Sequence, residues 1–413
     1  DNLIKNAFQI VNGYIKEPSR QFSKDGEFDV LIPASGRFNN SDSFRKGLVE
    51  GLCILLNGAQ LNNCTVSLLA VESRKLICNA FSDQSWVGLI SMADMLPALA
   101  EMNPLVYLNN LEELIRCKPH EVEKLFPKRQ DRLFFDQNFI SNILFTLEAL
   151  AWDENYIVQC IRCLGELECL SYEQTNWANT PINTIVNILV PLFPQTCASI
   201  EKQKNAIQAL KVEDEELCWN VLMKLLPKGE TVVIPATTRP QYLRIDLPEE
   251  VGISDENYRC LFQHYTQQVL SMAGCDHSKL AQVSEYTAYM KDSDVLSFLK
   301  KIEAARQLWN DEEKCTIWLK LSEIKYRAIQ DNNGTLPDTE TFKELCGTVD
   351  AVCPQEIMYR YTRLYLSHFN EFLIDENRWE ELDRKKQQAV EEIYQTMGLN
   401  AVIEFGERIN ALH

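Results

Sequence analysis

No stretch of this sequence reaches the roughly twenty consecutive apolar residues of a bilayer-spanning helix, so no membrane span is expected. A Gly-x-x-x-x-Gly-Lys-Ser/Thr loop is missing too, and with it the usual backbone cradle for a nucleotide's phosphates. Cations are in short supply: 41 Lys and Arg stand against 59 Asp and Glu, a formal net charge of −18. Such a surface repels polyanions, which argues against nucleic acid or an anionic membrane as partner. No secretory leader opens the chain. The fourteen Cys fall mostly inside apolar helical stripes, as Cys53, Cys160, Cys163 and Cys218 do. There they serve as small hydrophobes, and a reducing, cytoplasmic compartment is expected.

What is present is helix. Phe139, Ile140, Ile143, Leu144, Leu147 and Leu150 recur at three- and four-residue spacing, the pattern of one apolar helix face. Asp153 stands where an N-cap belongs, ahead of Ile157, Val158, Ile161, Leu164 and Leu167. Pro181 opens another helix with its fixed φ, and Pro191 and Pro194 end it. Helices over about 196–211 and 213–226 follow. Upstream, the pattern predicts helices over 3–15, from Ser41 or Asp42 to Leu56, over 66–81, over 86–102 with an interruption near Pro97, and from Pro104 and Pro119. Each amphipathic stripe is too narrow to bury itself. Antiparallel pairs stacked into a solenoid cover it economically.

The rhythm breaks at 227–253. Thr231 to Ile234 is β-branched, and Pro235, Pro240 and Pro248 forbid a helix. Helical patterning resumes over 255–273, 278–290, 292–309, 311–329, 354–372, 379–397 and 399–412, with Gly398 at a helix C-terminus. The expected fold is therefore all-α, an irregular helical-hairpin repeat (a HEAT- or TPR-like solenoid) in two lobes joined by an irregular linker. Its parts are an N-terminal helix and irregular segment 1–41, a first lobe 42–226, the linker 227–253 and a second lobe 254–413. Asp1 begins on an apolar helical pattern and His413 ends inside one, as expected of a piece of a longer polypeptide.

Few residues suggest chemistry. Cys160 and Cys163, with Cys169 downstream, are spaced like a core stripe, and no second ligand pair follows. Cys260, His264, Cys275 and His277 match no standard zinc spacing, and metal is expected at neither set. Asp276, His277 and Ser278 are too close in sequence for a triad, whose members converge from separate elements. Glu213 to Glu216 reads as negative charge at a helix N-terminus. No catalytic, cofactor-binding or metal residue is assigned, and no cofactor is expected. Interaction candidates are Trp177 and Asn179, in a polar loop between helices, and Arg239, Tyr242 and Arg244 in the linker. Arg and Tyr favour interfaces, but an internal clamp between the two lobes is the role expected first for Arg239, Tyr242 and Arg244, with a partner contact as its alternative.

Three groups of segments carry a resemblance. The first is Met95-Leu-Pro-Ala-Leu-Ala-Glu-Met-Asn-Pro-Leu-Val-Tyr-Leu with Leu111-Glu-Glu-Leu. The second is Leu147-Glu-Ala-Leu-Ala-Trp-Asp, Trp177-Ala-Asn-Thr-Pro-Ile-Asn and Pro191-Leu-Phe-Pro-Gln-Thr-Cys-Ala-Ser-Ile-Glu. The third is Trp219 through Leu226-Pro with the Arg239-Pro linker. From about Ser41 onward, through a tail from Val390-Glu-Glu-Ile to Phe405, the chain resembles the helical region that follows the nucleotide-binding module in large bacterial STAND-type NTPases. Many of those are associated with antiphage defence. The resemblance implies a non-catalytic sensor and scaffold that binds a protein, either the rest of its own chain or a phage protein. It carries over no nucleotide-binding residue. A general protein-binding scaffold unrelated to defence and an all-α enzyme of unrecognised type are the alternatives.

Overall fold

In the computed structural model of the chain, the described residues are 2–15, 42–57, 63–82, 86–126, 138–172, 177–192, 195–227, 238–243, 254–332, 336–365 and 378–412. Among them the regular structure is helical and no strand occurs. The helices are α1 (Asn2–Ile15), α2 (Asp42–Asn57), α3 (Asn63–Ser82), α4 (Trp86–Ser91), α5 (Leu96–Met102), α6 (Pro104–Cys117), α7 (Pro119–Glu123), α8 (Ser141–Leu150), α9 (Ile157–Glu168), α10 (Pro181–Leu189), α11 (Ile200–Glu213) and α12 (Glu215–Leu225). After the segment that includes 238–243 come α13 (Asp255–Ala273), α14 (His277–Ser284), α15 (Asp292–Ala305), α16 (Asp311–Asp331), α17 (Glu340–Ala351), α18 (Ile357–Tyr361), α19 (Arg378–Met397) and α20 (Leu399–Leu412). The chain forms two compact units, Asp1–Leu225 with Val232–Phe262, and Leu226–Thr231 with Gln263–His413.

In the first unit the helices form two rows. One runs α1, α3, α6, α9, α11, each packed on the next; the other runs α2, α5, α8, α10, α12. Buried side chains on these helices include Leu99, Leu108, Leu147, Ile161, Leu164 and Ile188. Each such aliphatic side chain contributes about 1.5–3 kcal/mol by leaving water. The α9–α11 approach is close: a methyl group added at Gly165 would come within 2.7 Å of Leu210 Cδ1.

The outer edges of the first row are held in register by polar side chains. Gln159 Nε2 donates to Asn109 Oδ1 at 2.8 Å, Arg162 to Glu112 at 3.0 Å and Arg116 Nε to Glu166 at 2.8 Å. Each of these pairs is 50 residues apart in sequence, and Arg162 reaches Glu213, 51 residues on, at 3.0 Å. The contacts therefore repeat at i, i+3 and i+7 along α6 and α9, which is the signature of helices stacked in parallel register. Exposed pairs of this kind contribute at most about 1 kcal/mol each, so they select register more than they hold the fold.

In the second unit α14 packs on α16, α15 on α17, and α16 on α17 and α18. Met358, Ile393, Ala401 and Phe405 form a separate apolar cluster that joins α18, α19 and α20. The N-cap of α16 is a capping box, Asn310 Oδ1 accepting from Glu313 N and Glu313 accepting from Asn310 N, both at 2.9 Å.

Proline and cap signals place several helix starts at their expected residues. Pro104, Pro119 and Pro181 open α6, α7 and α10, and Thr180 Oγ1 caps α10 by accepting from Asn183 N. The break near Pro97 is a 3-10 turn at Ala93–Met95, which leaves Pro97 in the first turn of α5. Gly398 ends α19 at φ 86°, a left-handed conformation that glycine adopts without a Cβ clash.

Other expectations fail. Asp153 does not cap α9, whose N-cap is Tyr156; its carboxylate folds onto the nearer Asn155 N–H at 2.8 Å and closes a turn instead. The helix expected from Thr196 starts at Ile200, because Thr196 and Cys197 bond back to the end of α8 and Ser199 supplies the cap. Helix α17, capped by Thr339, lies where no helix is predicted. The long helices expected over 278–290 and 292–309 end early in 3-10 turns at Thr287–Tyr289 and Arg306–Leu308. The apolar run 28–32 and the loop 127–137 lie outside the described residues.

Candidate functional site

The short segment Thr238 to Leu243 lies across three successive helices of the second row. At one end Thr238 is held by α8 and the turn after it. Its N–H donates to the Glu148 carboxylate at 3.0 Å, and its carbonyl accepts from Trp152 Nε1 at 3.2 Å. The Arg239 guanidinium lies over the Trp152 ring, 4.9 Å from its centroid, and Pro240 is buried. In the middle, the Glu101 carboxylate of α5 accepts three consecutive backbone N–H groups. Gln241 N lies 3.0 Å from both oxygens, and Tyr242 N and Leu243 N lie 2.5 and 2.8 Å from Oε2. At the far end the Tyr242 hydroxyl faces Glu50 of α2; burial first, then that carboxylate, push its pKa up to about 12.

Glu101 and Glu148 are each only 2% exposed, and Trp152 is fully buried. A buried carboxylate is costly unless its oxygens are filled, and bonds from N–H groups to an ionised acceptor are the strong kind. The segment thus supplies what the two glutamates require, and they in turn occupy donors that a non-helical backbone must satisfy somewhere. Burial raises the Glu148 pKa, and the Thr238 backbone N–H opposes the rise without cancelling it. The turn beneath is tied as well: Thr196 Oγ1 donates to Ala151 O at 2.6 Å and Cys197 N to Trp152 O at 3.0 Å.

Of the sequence-selected residues, Arg239 and Tyr242 belong to this strap, whose anchors named here are all residues of the first unit. Arg244 lies outside the described residues. Trp177 and Asn179 sit elsewhere, ahead of α10. Trp177 is 39% exposed, whereas Asn179 is half-buried and its carbonyl accepts from Asn138 Nδ2 at 3.5 Å. The neighbouring Asn183 is occupied on both sides, donating to Ala178 O and accepting from Lys224 Nζ. Sequence reasoning missed Glu101, Glu148 and Trp152. Their signal is a lone carboxylate inside an otherwise apolar helical run, as in Leu96–Met102, where every residue but Pro97 is buried.

The cysteine and histidine sets do not come together. Cys160 and Cys163 are buried, and burial raises both thiols. Cys169 is exposed and its thiol points to Asp214 at 3.6 Å. Asp276 is the N-cap of α14, accepting from Ser278 N and Lys279 N, while His277 Nδ1 faces Glu313 at 3.7 Å. Among the described residues no group of three or more His, Cys, Asp or Glu is placed to hold a metal ion. In the acidic run, Asp214 caps α12, and Glu215 and Glu216 fill its first turn; Glu213 instead ends α11 and pairs with Arg162.

No family model, curated protein or solved structure matches the chain.

Two outcomes follow for the strap. Glu101→Gln offers one acceptor oxygen where three N–H groups need two, and turns an amide NH₂ toward a donor. It should lower stability by about 2–4 kcal/mol in urea denaturation. The raised Glu148 pKa means that the folded state holds this proton more tightly than the unfolded state does. Its contribution to stability is full below the ordinary carboxylate value of 4.5 and is lost as pH rises through the raised value. Glu148→Gln should therefore lose less stability than the parent as pH climbs from 4.5 toward neutrality, read from unfolding midpoints.

Proposed function

We propose that this chain is a non-catalytic sensor and scaffold segment of a larger bacterial signalling NTPase, acting in the cytoplasm and binding a protein partner in antiphage defence. One observation carries the reading. The segments that resemble the STAND-type helical region meet at the strap: Glu101 from the first, Glu148, Trp152 and Thr196 from the second, and Arg239-Pro240 from the third. Residues widely separated in sequence that converge on one hydrogen-bonded node have a reason to recur together in a family. Residues 1–41 carry no part of the resemblance.

In this reading the two helical rows of the first unit are a degenerate HEAT- or TPR-like solenoid, with the second unit as a further lobe. The parallel register of α6, α9 and α11 supports it. A solenoid offers a broad face to a partner, and the exposed Trp177 with Asn179 ahead of α10 suits such a contact. The same rows would serve a general protein-binding scaffold outside defence. What separates the two is a nucleotide-binding module in the same polypeptide.

The reading is tested on the complete gene and its product. The full polypeptide should contain a phosphate-binding loop upstream of these residues and hydrolyse ATP or GTP, while the present segment alone shows no turnover. A complete gene without such a module would leave the general scaffold. Turnover by the isolated segment would overturn both in favour of an all-α enzyme.

A further inference from the structure

The strap Thr238 to Leu243 is held the way a bound peptide is held. Pro240 is its one buried residue, while Arg239 and Gln241 are exposed. The strap therefore lies on the surface of the first unit and adds little to its core. The helices beneath it supply an array of acids, one per helix along the second row: Glu50 of α2, Glu101 of α5 and Glu148 of α8. Glu101 and Glu148 accept backbone N–H groups, and Glu50 faces the Tyr242 hydroxyl.

The helices themselves do not call for these acids. Glu101 and Glu148 lie in the last turns of α5 and α8, where the macrodipole disfavours negative charge. Both are buried, and apolar residues of similar volume hold such positions without loss of stability. Their placement suits an extended chain laid across the row. Carboxylates on successive helices capture backbone N–H groups, which almost any peptide offers, and the Trp152 ring with Glu50 reads an Arg and a Tyr. Lys46 lies 3.8 Å from Glu50, so the three glutamates leave the floor negative and favour a cationic segment.

We propose that α2, α5 and α8 form a groove for an extended segment of a partner protein, with Arg-Pro followed two residues later by Tyr, and that the strap occupies this groove as an intramolecular substitute. The partner's N–H groups fill Glu101 and Glu148 as the strap's do, so the exchange leaves neither buried carboxylate empty. Because the strap competes in cis, the groove is open to the partner for only a fraction of the time, and the apparent affinity is reduced by that fraction. The groove does not depend on the signalling role: a complete gene without a nucleotide-binding module would leave it standing.

The probe is fluorescein-labelled Thr-Arg-Pro-Gln-Tyr-Leu with blocked ends, read by fluorescence anisotropy. Arg239→Ala with Tyr242→Ala removes the side-chain anchors of the strap and leaves the floor intact. At unchanged helical circular dichroism this variant should bind the peptide saturably, and at least tenfold tighter than the parent does. Replacing the peptide's Arg by Ala, methylating its Tyr amide nitrogen, or adding Glu101→Gln to the variant should each weaken binding at least tenfold. A second reading uses the parent protein: about 1 mM peptide, the order of a tethered segment's effective concentration, should speed hydrogen exchange at 241–243 while α9 stays protected. No saturable binding to the folded variant, unchanged exchange in the parent, or equal binding of a scrambled peptide would overturn the proposal. So would dimerisation of the parent that the peptide reverses, because the groove would then belong to the strap of a second copy.

Discussion

The burial of the Glu101 carboxylate beneath three consecutive backbone amides is the constraint on which the first unit turns. A carboxylate 2% exposed on α5 has to be filled, and Gln241, Tyr242 and Leu243 are what fills it. Those amides come from some 140 residues away in sequence. The bond therefore closes the first unit back on itself after α12, and Glu148 with Trp152 fixes the direction in which the strap crosses. Replacing such an arrangement by apolar residues can be neutral in stability; removing one side of it is not. The strap is thus a specificity device: it determines which backbone lies over α2, α5 and α8.

The two kinds of polar contact in this unit do different work. On the first row, Arg116, Arg162 and Gln159 form an exposed ladder that sets register at little energy. Across the second row, the strap uses few bonds, and those to Glu101, Glu148 and Trp152 involve buried groups, where each is electrostatically stronger. The ladder suits helices that repeat; the strap suits a connection that occurs once.

Much of the helical order was legible in the residues because period and punctuation agree. Pro104, Pro119 and Pro181 open helices where they should, and Gly398 closes one. Where reading failed, a local competitor had won: the Asp153 side chain satisfied the nearer Asn155 amide rather than a helix end, and α17 carries Gly347 and two Thr that weaken its pattern. The site was legible only in part. Arg239 and Tyr242 stand out as anchors in a proline-rich stretch, but Glu101 and Glu148 do not, because a glutamate on a helix is ordinarily a solvent-facing residue. That their oxygens are filled from 238–243 is a long-range fact with no periodic trace.

Hydrogen exchange at the amides of residues 241, 242 and 243 tests the central claim most directly. If Glu101 holds them, these three non-helical amides will exchange as slowly as the interior of α8, and Glu101→Gln will release them while α9 stays protected. Exchange in the parent protein at the rate of an open loop would contradict the account, since amides bonded to a buried carboxylate cannot meet solvent without breaking that bond.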